Sequence, residues 1–414
     1  MIDYKSFALD NGLKVIFHRD PSTPMAAINL IYKVGSRDEN PEKTGFAHLF
    51  EHLMFEGSVN IENFDEELEK AGGNNNAFTS NDYTDYYITI PKDNIETALW
   101  LESDRMLSLD FSEEKLEIQK NVVIEEFKEV ILNQPYGDVM KLLRKLTYKV
   151  HPYRWCVIGE NFEHIEKATL DDVKEFFFKF YAPNNAILSI GGNFDFHEIK
   201  SLVEKWFGDI PRRNVPVRDY PEEPEQTERR FMEVERDVPL NAIYMSFPYF
   251  SRLEFGYYVS DFITDILAEG DSSRLYRNLV KEKEIFSETD AMISGSIDKG
   301  MLVIFGILNE GITMEQAEEA IWEELEKLKE KPISDYELQK IRNNSESELI
   351  FSRVNLMRRV MNLGYYEMLA DAKLYNEESQ KYLEITKEDI MAYSKIIFSP
   401  HKANVLYYKA KPKP

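Results

Sequence analysis

The hydrophobic pattern of the chain alternates between two periods, which predicts a fold that mixes strands with helices. Runs of β-branched and apolar residues predict strands at 13–17, 26–34, 85–90 and 186–190. Apolar residues at helical spacing predict helices at 44–56, 60–71, 94–107 and 112–132. This mixed order favours the α+β class, in which helices cover one face of a mostly antiparallel sheet.

A linker-like segment near the middle of the chain separates two parts of similar length. Residues 211–230 contain four prolines among charged residues and almost no core-forming side chains, a composition typical of linkers. We therefore predict an N-terminal domain at residues 1–212, a linker at 213–230 and a C-terminal domain at 231–414.

Weak internal similarity suggests that the two parts arose by duplication. Trp100 matches Trp322 at an offset of 222 residues, and the segment that ends at Gly57 matches the segment that ends at Gly270 at an offset of 213. Chance similarity between amphipathic helices is the alternative explanation. Duplication implies two structurally similar α+β halves.

Composition and charge narrow the class of protein. The 414 residues carry a formal net charge of −24, so most of the surface would repel a nucleic-acid backbone or an anionic membrane. The single cysteine, Cys156, excludes an intrachain disulfide and a cysteine-based zinc cluster. A metal site would therefore have to use histidines and carboxylates.

The compartment is predicted from the first residues and from the absence of long apolar runs. The chain starts without a signal-peptide pattern, and no apolar run reaches the roughly 18 residues of a membrane span. These features predict a cytoplasmic protein without nucleic-acid or membrane partners. A periplasmic location stays open if a leader has been removed.

The sharpest chemical signal is the HxxEH sequence at residues 48–52. On a helix, His48 and His52 lie one turn apart on the same side, so both imidazoles can face one metal ion, with Glu51 beside them. An apolar stripe on another face of the same helix contains Phe46, Leu49, Phe50 and Leu53. Two incidental histidines are the alternative explanation, but HxxEH is the inverted form of a zinc-peptidase motif.

A catalytic zinc takes three protein ligands and keeps a fourth position open, so a third ligand must lie elsewhere in the chain. In the helix predicted at 112–132, Glu126 falls in line with Gln119, Val123 and Val130, which places a carboxylate within an apolar stripe. A buried carboxylate needs a partner. Glu126 is therefore a candidate ligand, and a salt bridge to a neighbouring Arg or Lys is the alternative.

With these residues, the chain resembles the pitrilysin/insulinase family of inverzincin metallopeptidases, to which the mitochondrial processing peptidases belong. The resemblance covers nearly the whole chain. It implies a metallohydrolase fold of the processing-peptidase type and one Zn²⁺ per chain, held by His48, His52 and Glu126. It also implies that Glu51 is the catalytic base, which takes a proton from the attacking water.

The resemblance further implies a substrate-binding strand. Residues 72–79 resemble the edge strand of the family's active site. By resemblance, the backbone of Asn76, Ala77 and Phe78 pairs with an extended peptide, and the Asn76 side chain helps to hold the scissile amide. Such edge pairing favours extended, unfolded peptides.

Two departures from the family pattern bear on activity. Gln119 stands where the family often has a glutamate seven residues before the zinc ligand, and an amide cannot titrate. Lys281 and Ser287 stand in the region where active members often carry an arginine and a tyrosine. Some bacterial pairs join an active subunit that lacks these two residues to an inactive partner that carries them, which points toward a heterodimer.

We therefore predict a zinc-dependent endopeptidase for extended or unfolded peptides, working as a homodimer or as a heterodimer with a homologous subunit. The alternative is a catalytically weak or inactive peptide-binding or assembly subunit that needs a partner chain. The second half is not expected to bind zinc, because Asp261 and Asp265 stand at the positions that match the two histidines at the offset of 213.

Overall fold

Two mixed β-sheets, each flanked by helices, organise the chain. The computed structural model describes residues 1–412. Unit 1 comprises Met1–Glu129, Trp155–Tyr220 and Leu349–Glu377, and unit 2 comprises Val130–Arg154, Pro221–Glu348 and the chain from Glu378 onward. The α+β class predicted from the sequence is confirmed.

The sheet of unit 1 has six strands, which are β1 (Lys5–Ala8), β2 (Lys14–Arg19), β3 (Met25–Tyr32), β4 (Asn74–Thr79), β5 (Thr84–Pro91) and β6 (Ala186–Gly192). Their order is β1-β2-β6-β3-β5-β4. Neighbours are antiparallel except for the parallel pair β2 and β6. β4 is therefore an edge strand that pairs with β5.

The sheet of unit 2 has five strands, which are β7 (Arg230–Arg236), β8 (Ala242–Pro248), β9 (Phe286–Ile293), β10 (Met301–Leu308) and β11 (Asn404–Ala410). Their order is β7-β11-β8-β10-β9, and only β7 and β11 are parallel. This order repeats the order of β2, β6, β3, β5 and β4 in unit 1. The two units therefore share one topology, as duplication requires.

The helices in chain order are α1 (Phe46–Leu53), α2 (Phe64–Lys70), α3 (Ile95–Leu107), α4 (Glu113–Phe127), α5 (Val139–Thr147), α6 (Phe162–Glu166), α7 (Leu170–Phe180), α8 (Phe196–Phe207), α9 (Phe255–Ala268), α10 (Met314–Glu330), α11 (Asp335–Ser352), α12 (Leu356–Leu369), α13 (Leu374–Leu383) and α14 (Lys387–Ile397). α4 starts at Glu113 and α11 at Asp335, which repeats the 222-residue offset between Trp100 and Trp322. None of these helices combines the length and apolar character that a membrane-spanning segment requires.

The predicted helices are present, but three of them have different bounds. The helix predicted at 60–71 is α2 and covers only Phe64–Lys70. α1 is shorter than the predicted segment 44–56, because Gly45 at its start has a φ of 89°, outside the right-handed helical region. The helix predicted at 112–132 is α4 followed by a π-helix at Lys128–Asn133. The change of hydrogen-bonding pattern shifts the side chains that follow Phe127 to a different face.

Helices cover both faces of each sheet, so the prediction of one covered face is wrong. In unit 1, Ile16 and Ile187 cluster with Leu363 and Tyr366 of α12, on the face opposite the main core. In unit 2, α5 is part of the corresponding cluster with residues of β8, β10 and β11. α5 and α12 each lie in a short segment of the chain that is flanked on both sides by residues of the other unit. Local periodicity marks an amphipathic helix but does not say which sheet it covers.

The segment predicted as a linker is held by specific contacts in both units. In unit 1, the Arg213 guanidinium donates to the carbonyls of Tyr181, Met106 and Leu107, and Arg218 pairs with Asp38 at 2.6 Å. In unit 2, the Glu223 carboxylate accepts three backbone N–H groups from residues 149–151. The domain division at 1–212, 213–230 and 231–414 stays a prediction.

Candidate metal centre

The helix that carries the HxxEH motif is anchored at its start by a distant carboxylate. Gly45 is the N-cap of α1 and has no side chain with which to cap it. Glu39, which is buried, accepts hydrogen bonds from the backbone N–H groups of Gly45 at 3.0 Å and Ala47 at 2.8 Å. The carboxylate thereby satisfies donors that a helix start leaves free and lies at the positive end of the helix dipole.

α1 places its apolar and polar side chains on different faces. The stripe Phe46, Leu49, Phe50 and Leu53 is buried in the core of unit 1. His48, Glu51 and His52 lie on the other side and are only partly buried. The two imidazole rings are 4.9 Å apart between their centres, so both can face one ion.

Glu126 of α4 meets both histidines. Its Oε2 atom lies 3.7 Å from Nε2 of His48 and 3.6 Å from Nε2 of His52, and one ligand atom from each residue falls within 4.8 Å of the others. Zinc bonds of about 2.0–2.2 Å in a tetrahedron separate ligand atoms by roughly 3.3–3.6 Å. The three side chains therefore fit a zinc ion, and two imidazoles with one carboxylate are a donor set of catalytic zinc sites.

Glu126 faces the two histidines, but it is not buried within an apolar stripe as the sequence analysis predicted. Its side chain is 39% exposed, and Val130 is also exposed, while Val123 is buried. Glu126 therefore faces the histidines at the edge of the core rather than lying within an apolar stripe. Within residues 1–412, the side chains that lie within ion-pair distance of Glu126 are these histidines and not an Arg or Lys.

The surroundings shift the pKa values of the two histidines in opposite directions. Burial lowers the pKa of His48 to about 4, and the neighbouring His52 acts in the same direction. Burial also acts to lower the pKa of His52, but the hydrogen bond and charge of Glu126 outweigh it and raise that pKa. The hydrogen bond from His52 in turn lowers the pKa of Glu126. His48 is neutral near pH 7, which is the state that a metal ligand needs.

Glu51 lies beside the histidine pair with one oxygen already engaged. Oγ1 of Thr79 donates a hydrogen bond to Oε2 of Glu51 at 2.7 Å. Burial raises the pKa of Glu51, while the Thr79 hydroxyl and the His52 charge oppose the rise. A raised carboxyl pKa suits a group that accepts and returns a proton near neutral pH.

The predicted substrate strand is β4, at the edge of the sheet and in contact with α1. Asn76 is exposed, and its side-chain oxygen accepts a hydrogen bond from the N–H of Ala77 at 2.8 Å. The Asn76 side chain therefore occupies a backbone donor in the middle of this edge strand. Phe78 is partly buried and packs edge-on against Tyr83 at 5.7 Å.

An acidic cleft of about 980 Å³ opens beside His52. Its carboxylates are Glu56, Glu62, Asp65, Glu66 and Glu67. The lysine that lines the cleft, Lys115, is paired with Asp110 at 3.0 Å. Gln119 also lines the cleft, and its amide donates a hydrogen bond to Glu56. A carboxylate thus lies within hydrogen-bond distance of the position where the family often has a glutamate.

The corresponding positions of unit 2 hold carboxylates instead of histidines. Asp261 and Asp265 lie on α9, and Asp261 accepts a hydrogen bond from the Tyr382 hydroxyl at 2.6 Å. Burial raises the pKa of both groups, that of Asp265 to about 8. Among the residues that the structure describes, His48, His52 and Glu126 form the single group of three suitable side chains for a metal ion.

Lys281 and Ser287, the two residues that the sequence analysis singled out in the second half, lie in unit 2. Lys281 belongs to a π-helix at Tyr276–Glu282, and its ammonium lies over the Tyr276 ring at 5.1 Å. Ser287 lies on β9, where its hydroxyl donates to the carbonyl of Ile307 at 3.2 Å. Both residues therefore have local partners within unit 2.

Two residues that contact the helix carrying the motif were not predicted as its partners from the sequence. Glu39 precedes α1 by a loop, and Thr79 lies 28 residues beyond Glu51. Thr79 immediately follows the Asn76–Phe78 segment, which was the available signal for it. Nothing in the local pattern around Glu39 indicated that its side chain would be buried.

The chain has two α+β units of one topology and a candidate centre of two histidines and one carboxylate. Both features agree with the class of metallopeptidases that the HxxEH motif indicated. Two family models match the chain in succession, "Insulinase (Peptidase family M16)" over residues 14–159 and "Peptidase M16 inactive domain" over residues 167–345. The chain belongs to peptidase family M16.

Individual relatives agree with this assignment. The chain is 28% identical over 416 residues to "Zinc protease PqqE" of Helicobacter pylori, covering 98% of this chain and 93% of that protein. It is 30% identical over 212 residues to "Mitochondrial-processing peptidase subunit beta" of Saccharomyces cerevisiae, covering 50% and 45% respectively. The crystal structure of a protease from Helicobacter pylori superimposes with a TM-score of 0.94 at 28% identity, over 99% of this chain and 100% of that one.

Proposed function

We propose that the protein is a zinc-dependent endopeptidase that hydrolyses extended or unfolded peptides. The observation that carries this proposal is the convergence of ligand atoms from His48, His52 and Glu126 within 4.8 Å, with Glu51 beside them. The names of relatives that are similar over nearly the whole chain, such as "Zinc protease PqqE", support the metal and the peptidase activity.

The residues present divide the chemistry between them. Bound zinc would supply a Lewis acid that polarises a peptide carbonyl and makes water acidic enough to be deprotonated near neutral pH. Glu51 takes the proton of the attacking water and returns it to the leaving amine. The raised pKa of Glu51 supports both transfers, because it makes the carboxylate a stronger base and brings its titration closer to neutral pH.

The edge strand and the cleft define the kind of substrate. A peptide in extended conformation pairs with the backbone of β4 at Asn76, Ala77 and Phe78, which requires that the substrate segment be unfolded. The carboxylates of the cleft beside His52 favour a substrate with basic side chains near the cleaved bond.

We infer a second subunit from residues that the chain does not supply. Lys281 and Ser287 stand in the region where active members often carry an arginine and a tyrosine, and a homologous subunit could bring that pair. One relative is itself a "subunit beta" by name. A homodimer and a heterodimer are both compatible with this arrangement. A cytoplasmic location stays a prediction, to be tested by cell fractionation.

A catalytically weak peptide-binding subunit is the second candidate function. It is favoured by the match of residues 167–345 to the "Peptidase M16 inactive domain" model and by Gln119 in the place of a glutamate. Such a subunit would bind zinc and peptides and would need a partner chain for its role, but its own site would have little or no turnover even in that assembly.

The decisive experiment combines metal content with peptide turnover. Purified wild type, Glu51→Gln and Glu126→Gln are compared by zinc analysis and by cleavage of a quenched, unstructured basic peptide, alone and with a companion subunit. Glu125→Gln is the matched control, because Glu125 is exposed on the same helix and pairs with Lys128 at 2.7 Å.

The outcomes separate the candidates. We expect about one zinc per chain in wild type, Glu51→Gln and Glu125→Gln, less in Glu126→Gln, and turnover only in wild type and Glu125→Gln. Zinc without turnover, even with the companion, supports the binding subunit. Cleavage by Glu51→Gln at the wild-type rate would refute the mechanism.

A further inference from the structure

Thr79 connects the edge strand to Glu51. It is the last residue of β4, paired in register with Thr84 of β5. Its side chain faces α1, where Oγ1 lies 2.7 Å from Oε2 of Glu51 and 3.4 Å from the carbonyl oxygen of Ala47. A hydroxyl has one proton to donate, and the shorter distance together with the charge of the carboxylate directs it to Glu51.

The hydrogen bond fixes the Glu51 carboxylate from the side of β4. Oε2 is held by the Thr79 hydroxyl, and the backbone of Thr79 also acts on the carboxylate and opposes the rise of its pKa. The Glu51 side chain is only partly buried, so it stays accessible from the side of the histidines. The carboxylate can lose this orientation only by breaking a charge-assisted hydrogen bond.

We propose that Thr79 is a positioning residue that orients Glu51 for proton transfer and couples that orientation to peptide binding on β4. This inference rests on the proposed function of Glu51. The coupling follows from the chain itself, because Thr79 belongs to the edge strand β4, and the proposed function places the peptide on this strand at Asn76, Ala77 and Phe78. A peptide that orders β4 also fixes the hydroxyl that holds the base.

A purely structural role for Thr79 would not need its hydroxyl. Strand pairing with Thr84 uses backbone groups, and valine has nearly the same shape and at least the same preference for strands. The hydroxyl therefore serves Glu51 rather than the sheet, and its removal should affect the chemical step rather than peptide binding.

The test compares Thr79→Val, Thr79→Ser and Thr79→Ala with the wild type in kcat, KM, zinc content and melting temperature. A hydrogen bond to a charged group corresponds to about a 10- to 100-fold change in rate. We expect kcat of Thr79→Val to fall by roughly that factor with KM within about twofold. Thr79→Ser should keep kcat within about threefold of wild type. Zinc content and melting temperature should not change.

The matched control is Thr89→Val. Thr89 lies on the neighbouring strand β5 and is paired with Asn74, at the far end of β4 from Thr79. It makes no hydrogen bond to Glu51, so its variant should have wild-type kcat. If Thr79→Val does not fold, the comparison of Thr79→Ser with Thr79→Ala replaces it, and serine should exceed alanine in kcat by at least about tenfold.

Several outcomes would overturn the inference. They are a Thr79→Val variant with wild-type kcat, a rise in KM with kcat unchanged, a loss of zinc that matches the loss of activity, and equal kcat for the Ser and Ala variants. If any of these occurs while Glu51→Gln is inactive, the role of Thr79 is refuted and the proposed function stands. If Glu51→Gln is active, the proposed function itself fails.

Discussion

Glu39 is expected to control both the stability of α1 and the metal centre that this helix carries. The residue is 6% exposed, and its two oxygens each accept one backbone N–H at the start of α1. Glu39→Ala removes both acceptors without supplying water to the buried N–H groups of Gly45 and Ala47. The N-cap glycine offers no substitute.

The magnitude follows from the two hydrogen bonds. A buried donor left unsatisfied costs about 1–3 kcal/mol, and bonds to a charged group lie in the upper part of that range. Two such donors correspond to a loss of about 2–6 kcal/mol, a large fraction of the roughly 5–15 kcal/mol by which typical proteins are stable. Burial raises the pKa of Glu39, which means that burying its charge is unfavourable and offsets part of the stabilisation by the two hydrogen bonds. We therefore expect a loss in the lower half of the range.

Urea unfolding and amide hydrogen exchange would measure the effect. We expect Glu39→Ala to lower the free energy of unfolding, to speed exchange at the start of α1 and to weaken zinc binding through His48 and His52. Glu42→Gln is the matched control, because Glu42 is exposed in the same loop. A Glu39→Ala protein within about 0.5 kcal/mol of the wild type, with unchanged zinc affinity, would refute the reasoning.

Three further predictions concern other buried groups. Burial raises the pKa of Asp265 to about 8, with Asp261 adding to the effect. The folded chain therefore holds this proton more tightly than the unfolded chain, and stability should fall as pH rises from about 4 towards 8. Asp265→Asn should flatten that dependence in urea midpoints measured across the range, and a parallel curve would contradict the assignment. Arg105 is fully buried on Glu102 at 2.5 Å, so Arg105→Met should cost about 3–5 kcal/mol in urea unfolding, and adding Glu102→Gln should recover part of it; no recovery would exclude an uncompensated charge as the cause. Arg213→Ala should expose the adjoining loop to limited proteolysis, because it removes bonds to three carbonyls, and an unchanged cleavage pattern would show that other contacts hold the loop.

The candidate metal centre could be predicted largely because its geometry is local. His48 and His52 are four residues apart, and a helix alone places them on one side. Glu126 was found by its position on a second helix, although the expected burial in an apolar stripe was wrong. That stripe assumed one uninterrupted helix at 112–132, and the π-helix after Phe127 moves Val130 to the surface.

The contacts that support the centre could not be predicted in the same way. The Glu39 bonds and the Thr79 bond join segments whose separation in the chain carries no periodic signal. Each depends on how a loop or a strand returns to α1 after the core has packed. Glutamate and threonine are mostly exposed in proteins, so their residue types do not indicate that these two side chains make buried contacts.

By itself, the sequence determined the α+β class, the duplication and the pairing of His48 with His52, because each of these can be recognised from short-range spacing or from a repeat. Only the tertiary structure decided which sheet each helix covers. α5 belongs to unit 2 and α12 to unit 1, so each unit is completed by a helix from outside its main sequence segment. An amphipathic helix specifies only that it has an apolar face, and the partner of that face is chosen by packing over the whole chain.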